Sequence, residues 1–101
     1  MTTTFSSVLA RLRGVCPPDL PVTVRRKKVA DSDDGWCSKR GDRYRIVINS
    51  AATEERQIEV LLHEWAHSLA WSFESELEPH HGPHWGIAYA RCYHAVYDLK
   101  I

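Results

Sequence analysis

The sequence predicts an α+β domain, and three observations carry that expectation. Near the N-terminus apolar residues recur at helical spacing, with Phe5, Val8, Leu9 and Leu12 on one face. In "RYRIVINS" the period drops to two, and Tyr44, Ile46 and Ile48 alternate with Arg43, Arg45 and Val47. After Thr53 it lengthens again: Ile58, Leu62, Trp65 and Leu69 fall at i, i+4, i+7 and i+11.

Taken in order, a first helix over residues 4–15 is stopped by "CPPDLP", because proline cannot continue a helix. Three strand-like segments follow, "PVTVRRKKV", "WCSKR" and "RYRIVINS", separated by the turn-forming stretches "ADSDDG" and "RGD". The simplest pairing is a three-stranded antiparallel meander. Thr53 is placed to cap the next helix, with Glu54 and Glu55 at the positive end of its dipole, and that helix should run to about residue 72. An acidic loop (Glu74, Glu76, Glu78) leads to Gly82 and Pro83, where a last helix opens with proline in its first turn. Its apolar stripe is Trp85, Ala88, Cys92, Val96 and Leu99. With no repeat and no linker, residues 1–101 read as one domain.

Composition narrows the class. A hydrophobic fraction of 44% is that of a soluble globular chain, no apolar run is long enough to span a bilayer, and "MTTTFSSVLARLRG" lacks the order of a secretory signal. A cytoplasmic monomer without membrane contact is expected. Cys16, Cys37 and Cys92 are odd in number and form no CxxC, so reduced thiols are expected rather than a disulfide framework. The formal charge of zero hides a split. Residues 1–50 carry ten Lys and Arg against five acidic residues, and the remainder three against eight. The basic half holds "RRKK" with Lys39, Arg40, Arg43 and Arg45, which leaves DNA open as a partner. Solvated strand faces explain the same residues without one.

The chemistry is concentrated in "HEWAH", His63 to His67. On a helix, positions i and i+4 stand one above the other, so His63 and His67 can bind one ion through two imidazoles. Glu64 follows the first of them, beside the ion without ligating it, where it can take a proton from water and return it to a leaving amine. Zinc there would lower the pKa of a bound water to about 7. This is the arrangement that metal-assisted amide hydrolysis needs, and it names Glu64 as general base.

A catalytic zinc site wants a third protein ligand. A metzincin would have glycine at position 70 and histidine at 73, where Ala70 and Phe73 stand; histidine at 73 is also what a YbeY-like nuclease would need. A deformylase-like site would draw on a cysteine such as Cys37, but "DGWCSKRG" does not match that family's strand. A gluzincin would take Glu from the last helix, and residues 84–101 contain none. A histidine remains, and "EPHHGPHW" offers His80, His81 and His84.

"HEWAH" followed after thirteen residues by "HGPHW" resembles the SprT-like zinc metalloprotease domain, which includes Spartan-type proteases. That pattern is HExxH, a short loop, then HG-x-x-aromatic, with the histidine before the glycine as third ligand. The resemblance covers mainly residues 53–97. It implies a zincin-like fold with HExxH on the active-site helix, one zinc ion on His63, His67 and His81, and Glu64 as base. Local chemistry agrees about His81, since Gly82 permits close approach and Pro83 aims the preceding side chain. His80 would point oppositely in an extended segment, and His84 lies inside the last helix. His84, Tyr89 and Tyr93 are candidates for stabilising the oxyanion or lining the cleft.

The expected function is therefore zinc-dependent hydrolysis of peptide bonds in a peptide or unfolded protein. Trp65, Trp71 and Trp85 are expected in the core. SprT-like proteins often carry a C-terminal zinc ribbon; this chain ends at Ile101 and has no cysteine pair for one, so a DNA-linked role is not implied. Such compactness would suit a bacteriophage or mobile-element protein. The alternatives are a zinc-stabilised binding module contacting DNA or a protein through the basic half, and a zinc hydrolase of non-peptide amides.

Overall fold

A computed structural model describes residues 3–30, 33–74 and 80–97. Helix α1 (Phe5–Val15) begins at Thr4, whose hydroxyl accepts from the Ser7 N–H while Ser7 bonds back to the Thr4 backbone. Strands β1 (Val22–Lys27), β2 (Gly35–Arg40) and β3 (Arg43–Asn49) follow. Then come α2 (Glu54–Leu69), the short α3 (Trp71–Glu74) and α4 (Pro83–Tyr97). Thr53 caps α2 by accepting from the Arg56 N–H, and Pro83 opens α4. Leu99, Glu76 and Glu78 lie outside the described residues.

The sheet departs from the expected meander. Its order is β1-β3-β2, with β3 antiparallel to β2 but parallel to β1. Burial supplies the reason. Tyr44, Ile46 and Ile48 make β3 the most apolar strand, and it takes the centre with pairing on both sides. Strand β2 carries Lys39 and Arg40, which suit an edge. The β2–β3 hairpin closes on Gly41 at φ 59°, as a tight turn with glycine in its first central position requires.

Strand alternation then gives the sheet two faces. On the inner face the cross-strand row Val24, Ile46 and Cys37 packs toward the helices. The outer face carries Arg25, Val47 and Trp36 in one row, with Arg45, Arg43 and Arg40 beside them. Arg26 points inward and lies over the Phe5 ring at 4.3 Å, so one member of "RRKK" belongs to the packing.

Helix α2 is the hub, packing on β2, β3, α1 and α4. Leu61, Leu62, Trp65 and Ala66 are fully buried, and the Trp65 indole N–H donates to the Cys16 carbonyl at 2.8 Å. Strand β2 approaches α2 closely at Gly35, where an added Cβ would lie 2.5 Å from the Val47 carbonyl and 2.8 Å from Val60. The predicted single helix to residue 72 is interrupted at Ala70, and α3 re-aims the chain as Trp71 packs on Tyr44 with ring centroids 5.7 Å apart. Cys16 and Cys92 are buried free thiols, and Cys37 is half-buried. No helix among the described residues is long and apolar enough to cross a membrane.

Candidate metal centre

With the apolar stripe of α2 turned into the core, His63 and His67 stand at its rim, one turn apart. The turn ahead of α4 brings His81 to them. The three Nε2 atoms lie 3.3 Å (His63–His67), 3.1 Å (His67–His81) and 3.0 Å (His63–His81) apart. Tetrahedral zinc with bonds of about 2.0–2.1 Å separates its ligands by about 3.3–3.4 Å, so the donor set fits such an ion after a shift of a few tenths of an ångström. Among the described residues no fourth histidine, cysteine or carboxylate joins this cluster.

Glu74 holds the cluster together. One carboxylate oxygen lies 2.7 Å from His67 Nδ1, and the other accepts the His81 backbone N–H at 3.0 Å. Donation from Nδ1 leaves Nε2 of a neutral His67 as a bare lone pair facing the other two rings. His81 has φ 63°, the only positive value at a non-glycine among the described residues. Such a conformation costs about 1–2 kcal/mol, and the bond to Glu74 offsets part of it. In an unbroken helix His67 and Glu74 would be separated by a rise of about 10.5 Å; the interruption at Ala70 folds the carboxylate back.

Glu64 is buried, with one oxygen 4.0 Å from His63 Nε2. Burial, and then the nearby Glu74 carboxylate, push its pKa up to about 7. Burial and the neighbouring imidazoles push His63 down to about 4, which favours its neutral, ligating form. A bound divalent cation acts on Glu64 in the opposite sense. The Cys37 thiol is pushed up to about 12 by burial and by Glu64 and Glu74, so it is no nucleophile here.

The other singled-out residues separate. Tyr89 and Tyr93 line a cleft of about 960 Å³ with His63, Glu64 and Trp85. His84 is not among its lining residues; it stacks on Phe73, ring centroids 3.7 Å apart. His80 lines a smaller cavity on the Cys37 side, where it forms a second potential ligand group with His67 and Glu74. Trp65 is core as expected, whereas Trp85 is half-buried and packs against the His63 and His81 rings at 5.1 and 4.8 Å. Its indole N–H donates to the His63 carbonyl at 3.3 Å. Sequence reasoning missed Glu74 and Trp85 as parts of the site. The available signal for Glu74 was a lone carboxylate in "AWSFE", otherwise apolar or small.

No curated protein and no solved structure matches the chain. A family model does, over residues 5–101, and it spans every residue of the cluster: the chain belongs to the SprT-like family.

Proposed function

We propose that the chain is a zinc-dependent metallopeptidase of zincin-like design, with His63, His67 and His81 as ligands and Glu64 as general base. The convergence of three Nε2 atoms within 3.3 Å, with a buried carboxylate beside them, carries this reading. Zinc bound there would polarise the scissile carbonyl and bring the pKa of water to about 7. Glu64 takes the proton of the attacking water and hands it to the leaving amine. Glu74 keeps His67 in the ligating tautomer and holds His81 in its turn. Membership of the SprT-like family supports the same chemistry.

The outer edge of β2 has no strand partner among the described residues, and it runs past Glu64, which shares the cleft with Gly35. An extended peptide would pair with that edge and bring its carbonyl to the histidines. Such a mode suits peptides and unfolded proteins. Replacing Glu64→Gln is the test. Cleavage of an unfolded protein by the zinc-loaded variant is expected to fall by about 10²–10⁴-fold, with zinc content unchanged. Retained cleavage would remove Glu64 from the mechanism, and no cleavage by the unmutated protein would remove the activity.

A second reading, contact with DNA, is favoured by one observation: Arg25, Arg40, Arg43 and Arg45 share the outer sheet face with the exposed Trp36. Basic side chains on one face with an exposed aromatic suit a single strand. Binding of an oligonucleotide that weakens with salt and is lost on Arg45→Glu would support it.

A further inference from the structure

The cleft that leaves the histidine cluster runs along an aromatic ladder. Trp85, Tyr89, Tyr93 and Tyr97 follow one another at one-turn spacing on α4, with successive ring centroids 5.1, 6.4 and 4.6 Å apart. Tyr93 and Tyr97 are each 38% exposed, so their rings are available to a ligand. The opposite wall is acidic, with Asp33 and Asp34 before β2 and Glu59 on α2, all exposed. Arg56 is the only Lys or Arg among the described lining residues, and it already pairs with Asp34 at 2.6 Å and Glu59 at 3.0 Å. Even without Glu64 the walls stay net negative.

We propose that this ladder is a subsite for an Arg- or Lys-bearing segment of the polypeptide substrate, a statement that rests on the metallopeptidase reading. A guanidinium or ammonium over a tyrosine face is attracted by the ring, and the acidic wall adds to that attraction. A nucleic-acid strand also stacks on aromatics, but its phosphates would meet Asp33, Asp34 and Glu59. Charge therefore decides for the cationic peptide. From Trp85 to Tyr97 the helix rises about 18 Å, which matches five or six residues of extended chain at about 3.3 Å each. The subsite thus takes the chain on one side of the scissile bond.

The zinc-loaded Glu64→Gln protein separates binding from cutting. Fluorescence anisotropy compares labelled short peptides that differ only in carrying Arg, Gln or Glu. The Arg peptide is expected to bind roughly tenfold tighter than the Gln peptide, with the Glu peptide weakest. The preference should shrink to about twofold or less in Tyr93→Ala/Tyr97→Ala and, separately, in Asp33→Asn/Glu59→Gln. These side chains are exposed, and circular dichroism checks that each variant folds. Equal binding of the three peptides, a preference unchanged in both variants, or displacement of the Arg peptide by oligothymidylate would overturn the subsite. An Arg preference without cleavage by the unmutated protein would instead overturn the peptidase reading. Cleavage with no charge preference would overturn only the subsite.

Discussion

On α4, Trp85, Tyr89, Tyr93 and Tyr97 stand along a groove rimmed by Asp33, Asp34 and Glu59. On the outer face of the sheet, a single exposed tryptophan, Trp36, shares its face with Arg25, Arg40, Arg43 and Arg45. The formal charge of zero, 13 Lys and Arg against 13 Asp and Glu, hides both fields. Their origins also differ. The ladder comes from helical spacing at i, i+4, i+8 and i+12, whereas the basic face comes from strand alternation. Gly35 and Trp36 show how close the two regions are: Gly35 borders the metal-side cleft, and the next residue faces outward in register with Val47. What the groove has and the basic face lacks is a set of converging ligand atoms, so chemistry is expected on one side only.

The comparison breaks most readily at the ligands. His81→Ala should abolish stoichiometric zinc binding, read by metal analysis after dialysis, while His84→Ala, at a ring that stacks on Phe73 and is not among the converging nitrogens, should keep it. The reverse result would move the metal centre away from the three converging nitrogens. Next comes the carboxylate behind them. Glu74→Ala is expected to weaken zinc about 10–100-fold in a competition with a chromophoric chelator. Unchanged affinity would show that the His81 turn holds without it. Third, Gly35→Ala places a Cβ against the Val47 carbonyl and Val60, and should cost about 1–3 kcal/mol in denaturant unfolding. If stability is unchanged, the close approach of β2 to α2 is wrong, and with it the edge offered to substrate. The smallest effect sharpens the contrast: Arg43→Gln on the outer face should leave zinc content and peptide cleavage within about twofold of the unmutated protein, since an exposed charge that far from the ligands is largely screened.

Much of the fold was legible because burial leaves periodic traces. The two-residue period of Tyr44, Ile46 and Ile48 located β3, and Thr53 before two glutamates located the start of α2. Strand order was not legible, because alternation marks which face of a strand is buried and says nothing of its neighbours. The central position of β3 follows only once α2 covers the sheet. In the site, His63, Glu64 and His67 could be read together because one helix fixes their relative positions. His81 required the motif resemblance, since three histidines shared one short turn. Glu74 was misread as part of an acidic loop, and Trp85, which packs against the core, lines the cleft as well.

By itself the sequence determined most of the elements and the HExxH helix face, which depend on neighbours a few positions apart, and the opposed charges of the two halves, which are composition; the break at Ala70 and α3 were not among them. Tertiary structure alone decided the parallel pairing of β1 with β3, the fold-back of Glu74 onto His67 and His81, and the alignment of an aromatic ladder with an acidic wall. Those join residues separated by the helix interruption at Ala70 or lying in different elements. Their contact energies depend on packing around α2, which no local spacing encodes.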